Sequence, residues 1–292
     1  MVRFTVVFGL ILLVFLTAAA EGMQDSILDW GDLEELSGGF TFTEGPAADS
    51  QGNIYFTDQP NDRIMKWSRE DILYTWKRPS GRSNGLFFDK GGNLIACADE
   101  MNQLWEISPE GDARVLVSDF EGRLLNGPND VWVGNDNSLY FTDPFYRRPY
   151  WKRGGMEQPG QYVYYVSPDR TEIRVVEDRL VRPNGVAATP DGSTLYVADI
   201  GDGKTYKYRI EENGDLAERR LFCSMGSDGM AVDWKGNLYL TGDGVTIFSP
   251  DGMKIGHIDV PEKWTANVCF GGEEMKTLYI TASKGFYRVK LK

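Results

Sequence analysis

The chain has little of what many metal and nucleophile chemistries require. Its 292 residues include one histidine, His257, and three cysteines, Cys97, Cys223 and Cys269. Most zinc, haem and Cys/His catalytic designs draw on clusters of those residues and are excluded. An odd number of cysteines at wide spacings is no disulfide framework. Cys97 and Cys269 fall in apolar strand-like runs, so buried free thiols are expected, with a single bridge as the alternative. Basic blocks are also missing: 31 Lys plus Arg stand against 43 Asp plus Glu, for a net charge of -12. Such a surface repels phosphate backbones and anionic lipid, which excludes nucleic acid as a partner. Beyond the N-terminus there is no sustained helical periodicity, and no apolar run reaches the roughly 20 residues of a membrane span.

The N-terminus does carry an apolar run. Arg3 precedes the stretch 6–16, and three alanines, Ala18, Ala19 and Ala20, follow it. A cation, a short hydrophobic core and a small-residue cleavage site make residues 1–20 a signal peptide. The mature chain, 21–292, is then exported, periplasmic or secreted, with no stable membrane insertion after cleavage.

Along that mature chain one phrase recurs: a polar residue, a short apolar strand, a turn of Asp, Gly and Asn, and a second strand ending in Thr or Ala, often with Asp. The copies are EGPAADSQGNIYFTD at 44–58, NGLFFDKGGNLIACAD at 84–99, NDVWVGNDNSLYFTD at 129–143, NGVAATPDGSTLYVAD at 184–199, DGMAVDWKGNLYLTG at 228–242 and a degraded ANVCFGGEEMKTLYITA at 266–282. Two further strand patterns follow each of the first five, as at 63–67 and 73–77. Four alternating strands per unit of this length make a propeller blade. The sixth unit ends one strand short, and LEELS at 33–37 is free to fill that place. The sequence therefore predicts an all-β, six-bladed β-propeller with four-stranded blades, closed by an N-terminal strand, as a single domain over 21–292. The third unit is longer than the others, and residues 144–161 lose strand patterning, which predicts a loop over one face.

The innermost strands of a propeller line its channel, so the first residues of the phrases form a ring at one height. That ring is Glu44, Asn84, Asn129, Asn184, Asp228 and Ala266. Five of the six bear oxygen and none is basic, a donor set suited to a hard divalent cation. Any single anchor is also explained as an ordinary turn residue at a strand start. Asp130, next to an anchor, is expected to point away from the channel and to serve structural hydrogen bonding.

The ordered blocks FTEGPA (42–47), PSGRSNGL (79–86), EGRLLNGPNDV (121–131), LYFTDP (139–144), RPNGVA (182–187) and SDGMAVD (227–233) resemble the SMP-30/gluconolactonase/LRE family, in its gluconolactonase group, over essentially all of 33–292. The resemblance implies a calcium-dependent propeller that opens a lactone ring, with a small-molecule sugar lactone as substrate. By matched motif it implies Glu44, Asn184 and Asp228 as metal ligands, Asn129 at the metal or the substrate, and Asn84 on the substrate side. The cofactor so implied is a divalent cation, Ca²⁺ in the first place. Two departures bear on the substrate: Gly127 stands two before Asn129 where the animal branch has arginine, and CADE at 97–100 replaces the Cys-Glu-His run of bacterial members.

Asparagine exchanges no protons at neutral pH, so Asp228 is the expected general base and Glu44 chiefly a ligand. Tyr146, Tyr150 and Trp151 in the long loop either stack on a sugar or pack the loop. His257 is read as a surface residue of an outer strand, which leaves no histidine dyad. A phosphotriesterase-like hydrolase on the same metal site, or a non-catalytic ligand-binding propeller, are the alternative functions.

Overall fold

The computed structural model describes residues 29–292, together with Met1; the signal peptide expected over 1–20 lies outside that range. Six four-stranded antiparallel sheets are arranged in a ring. The innermost strands of blades one to six are Thr43–Ala48, Ser83–Phe88, Val131–Val133, Pro183–Ala188, Met230–Val232 and Thr265–Gly271, and each packs against the next, the sixth against the first. From there each sheet runs outward in chain order, in the first blade through Ile54–Asp58 and Arg63–Trp67 to Leu73–Lys77. The sixth blade takes its outermost strand, Glu34–Ser37, from the N-terminus, where Glu35 pairs with Tyr287. Ring, blade count and closure are those the repeats predict.

The sequence forms this ring because the second strand of every blade is buried along almost its whole length on both faces, and each face of a blade meets a neighbour. The buried apolar side chains fall into clusters that each bridge two adjacent blades. Ile95, Leu104, Phe141 and Tyr164 join the second and third, and Phe56, Trp67, Tyr279 and Phe286 join the first and sixth. Burying one such side chain contributes roughly 1.5–3 kcal/mol. Polar groups collect at the anchor end of the channel, while further along it Ala47, Leu86, Val131 and Met230 line the wall.

Three details refine the sequence expectations. A two-residue ribbon pair, Asp119–Phe120 with Arg123–Leu124, precedes the third blade and was not signalled. It supports the long loop: the Gln158 amide donates to the Phe120 and Arg123 carbonyls at 3.1 and 2.9 Å. The three cysteines are unpaired, Cys97 and Cys223 buried and Cys269 partly so. His257 lies on the outermost strand of the fifth blade, beside the Thr246 hydroxyl at 3.0 Å and remote from the channel ring. Among the described residues no helix is long and apolar enough to cross a membrane.

Candidate active site in the channel mouth

Five of the six phrases begin where the inner strand departs from regular pairing; in the third, Asn129 and Asp130 both bond Thr142. Register shifts fall between Glu44 and Ala47, Ser83 and Leu86, Pro183 and Val186, and Thr265 and Asn267. A bulge interrupts the in-out alternation and re-aims side chains, so two successive residues can face the channel. This places Glu44, Asn84, Asn129 and Asp228 in the wall of one cavity of about 410 Å³ at the channel mouth. Asn184, 1% exposed, stands just behind and donates from Nδ2 to Asp228 Oδ1 at 2.9 Å and to the Tyr146 hydroxyl at 3.0 Å.

The same bulges correct two expectations. Asp130 does not point away: it projects into the channel below the ring, where Oδ1 accepts from the Val131 N–H at 3.0 Å and Oδ2 from the Val186 N–H of the next blade at 3.3 Å. The hydrogen-bonding role holds and the direction was wrong, because strict alternation fails at a bulge. In the sixth blade Ala266 is a blank, and Asn267, one residue on, reaches into the channel. The phrase glycines make room for these two side chains. A Cβ on Gly85 would lie 2.5 Å from Asp130 Oδ1, and one on Gly229 would overlap the Asn267 amide.

A second set of aspartates holds the mouth in shape. Asp58, Asp143 and Asp199 end the second strands of blades one, three and four, and each accepts two successive backbone N–H groups just before the inner strand: Thr41 and Phe42, Asn126 and Gly127, Val181 and Arg182.

The loop 144–161 folds over this mouth, as its length predicts. Tyr146 and Arg148 enter the cavity wall. Tyr150 and Trp151 instead anchor the loop, donating to Asp99 Oδ2 at 2.8 Å and to the Asp99 carbonyl at 2.9 Å. Sequence reasoning missed Arg148 and also Trp264, whose Nε1 donates to Asp228 Oδ2 at 2.6 Å. A signal for Trp264 existed: it stands two residues before the degraded sixth anchor, as Phe42 stands before Glu44, and Phe42 lines the same cavity.

Electrostatics set the chemistry. Burial, then the nearby Asp228 charge, holds the Glu44 carboxyl well above its usual range, against the Gly45 N–H at 2.9 Å. Burial also raises Asp228, opposed by Trp264, Asn184 and the Arg148 charge. Tyr146 is pushed up to about 12, chiefly by burial, so it remains a phenol; with Asn184 donating to its oxygen, its own proton is free to donate.

The residues fit a cation. Asn84 Oδ1 and Asn184 Oδ1 are buried without a hydrogen-bond partner. An orphaned buried acceptor costs roughly 1–3 kcal/mol, and here two of them accompany two buried carboxylates that repel each other. Among the described residues no three His, Cys, Asp or Glu come together elsewhere or here. The donor set is two carboxylates with amide oxygens, which suits a hard ion rather than zinc.

Burial drives both Asp130 and Asp143 up to about 7 from an unfolded value of 3.8. A carboxyl whose folded pKa is raised contributes stability that is fully present below the unfolded pKa and is lost as pH rises through the folded one. Chelator-treated protein should therefore melt lower at pH 8 than at pH 5.5, by on the order of 5 °C for a chain of this size. Calorimetry across that window checks it, and a flat or rising profile would contradict the buried-acid assignment.

A six-bladed propeller whose channel ends in paired buried carboxylates, orphaned amide oxygens and an overhanging polar loop offers an enclosed site for a cation and a polar small molecule. Comparison with known proteins gives the family. Residues 42–284 match the SMP-30/Gluconolactonase/LRE-like region. The chain belongs to the SMP-30/gluconolactonase/LRE-like family. It is 29% identical to a gluconolactonase of Zymomonas mobilis, over 92% of this chain and 84% of that one. It is 36% identical to a 6-deoxy-6-sulfogluconolactonase of Pseudomonas putida, over 75% of this chain and 81% of that one. The solved structure of a gluconolactonase from Xanthomonas campestris superposes with a TM-score of 0.83 at 29% identity, covering 89% of each chain.

Proposed function

We propose that the protein is a lactonase that opens the ring of a sugar lactone at a divalent cation held by Glu44, Asn129, Asn184 and Asp228, with Ca²⁺ as the ion. The observation that carries the reading is the orphaned Asn184 amide oxygen with the buried Glu44 and Asp228 carboxylates, at a cavity large enough for one sugar ring. When bound, the cation neutralises the two acids and polarises the lactone carbonyl as a Lewis acid.

The chain's own groups then divide the work. Asp228, fixed by Trp264 and Asn184, takes a proton from the water that attacks the carbonyl carbon. The ring C–O bond breaks and the ring oxygen leaves as an alcohol, taking a proton back. Asn84 and Asn129 hold substrate oxygens, and the Tyr146 hydroxyl donates to another. The product is a hydroxy acid that ionises at neutral pH, so each turnover releases one proton. The N-terminal segment 1–20 is a signal peptide in this reading, and the enzyme acts outside the cytoplasm, in the periplasm or secreted.

A pH-stat assay of a lactone panel on purified protein tests the proposal. Sugar lactones should be turned over with Ca²⁺ present, and chelator should abolish the rate. Full turnover by metal-free protein would end the metal assignment. Hydrolysis of an organophosphate with none of any lactone would move the site to phosphotriester chemistry.

A further inference from the structure

One aspartate departs from the repeat. Asp99 occupies the position at which Asp58, Asp143 and Asp199 cap the loop before the inner strand, yet in the second blade that task falls to Asp62, which accepts from the Ser80 and Arg82 N–H groups at 2.9 and 2.8 Å. Asp99, 2% exposed, is thereby free and turns to the long loop of the third blade. Its Oδ2 accepts from Arg148 Nε at 2.6 Å, the Tyr150 hydroxyl at 2.8 Å and the Gln59 amide at 3.2 Å. Only Nε of Arg148 is committed. Its outer amino groups have no protein acceptor among the described residues, and the side chain lines the active-site cavity.

A second guanidinium stands close by. Arg182, exposed and without an ion-pair partner among the described residues, lies 5.3 Å from the centre of the Tyr146 ring, and Arg148 lies 5.8 Å from the same centre. Arg148 shares its charge with Asp99, whereas Arg182 has no counter-charge among the described residues, so an anion beside the ring would take the free amino groups of the one and balance the charge of the other. The loop that brings Arg148 is itself basic: residues 144–161 contain Arg147, Arg148, Lys152 and Arg153 against Glu157 alone, in a chain of net charge -12. A neutral sugar leaves the Arg182 charge without a partner, whereas planar guanidinium donors suit a carboxylate, phosphate or sulfonate.

We propose that the mouth of the site is an anion subsite, that Arg148 and Arg182 bind a negatively charged substituent of the lactone remote from the reacting carbonyl, and that Asp99 is the positioning residue that aims Arg148. The substrate class is an acidic sugar lactone. This rests on the lactonase reading and narrows it. The basic loop also steers such a substrate toward a protein whose overall charge would repel it.

The test uses three probes on the full metal-loaded protein: glucono-1,5-lactone, its 6-phosphate, and glucaro-1,4-lactone, which bears a free carboxylate. The wild type should favour at least one of the two anionic probes over the neutral one in kcat/KM by roughly tenfold or more at low salt, and the preference should shrink in 0.5 M NaCl. The phosphate and carboxylate probes distinguish which anion fits. Arg182→Gln, which keeps the inner part of an exposed side chain and removes its charge, should lower the anionic-to-neutral ratio, with the loss in KM. Asp99→Asn should raise KM for the anionic probe more than it lowers kcat, provided its melting temperature stays near wild type. Hydrolysis of the neutral lactone with equal or poorer use of both anionic probes overturns the anion subsite and leaves the lactonase reading standing. No hydrolysis of any of the three overturns the lactonase reading itself. An equal fall in kcat on all probes for Asp99→Asn overturns its positioning role.

Discussion

Asp228→Asn is expected to remain folded, bind metal more weakly and, at saturating metal, still lose on the order of 10² to 10⁴ in turnover. The substitution keeps the shape and one oxygen while removing a negative charge and the proposed proton acceptor. Its surroundings sharpen the expectation. Both oxygens of Asp228 accept from fixed donors, Trp264 Nε1 and Asn184 Nδ2. An asparagine has one acceptor for these two donors, so its amide nitrogen must face one of them, donor against donor, and the group is also misoriented. Asn184→Ala removes a neutral side chain instead, and much of its defect should recover as metal concentration is raised. Steady-state kinetics over a metal titration separate the two. An Asp228→Asn enzyme that regains wild-type turnover at high metal would make Asp228 a ligand only and move the base to Glu44.

The contrast between these residues shows what a linear reading can reach. The ring of anchors was legible because each anchor opens a repeated phrase, and repetition in sequence becomes rotation in space. Glu44, Asn84, Asn129 and Asp228 accordingly share one cavity wall. The errors lie where local backbone breaks the period. Asp130 and Asn267 follow anchors directly, and strict alternation sends such residues outward. The irregular register at the strand starts turns both into the channel, and the flanking glycines that admit them could have been read as the sign of a close approach. Arg148 was out of reach for a different reason. Its position depends on a loop with no period, pinned by an aspartate 49 residues away. Asp99 could have been noticed as a member of the strand-end series, but its altered duty depends on Asp62 having taken over the cap, a substitution of roles visible only in three dimensions.

Closure of the ring offers the largest effect on stability. A chain beginning at Asp29 should melt more than 10 °C above one beginning at Gly38. The difference is the segment carrying Glu34–Ser37, which completes the sixth blade against Gly285–Lys290. Trp30 and Leu33 pack, partly buried, on the cluster between blades five and six, and Leu36 does so on the cluster between six and one. Half-burial of three such side chains contributes roughly 3 kcal/mol, and each ladder hydrogen bond adds about 1 kcal/mol net. The Arg288 guanidinium bridges Glu34 at 2.8 Å and Asp71 of the first blade at 3.0 Å, an exposed pairing that adds at most about 1 kcal/mol. A total of on the order of 5 kcal/mol is a large part of the roughly 5–15 kcal/mol by which a native domain is stable, and at about 2–4 °C per kcal/mol it gives the stated shift. The shortened chain also bares the edge of Gly285–Lys290, so it should aggregate on heating where the longer one does not. Scanning calorimetry with light scattering measures both. Equal melting temperatures would mean that the first and sixth blades are held together by their inner strands, Thr43–Ala48 against Thr265–Gly271, without help from the N-terminal strand.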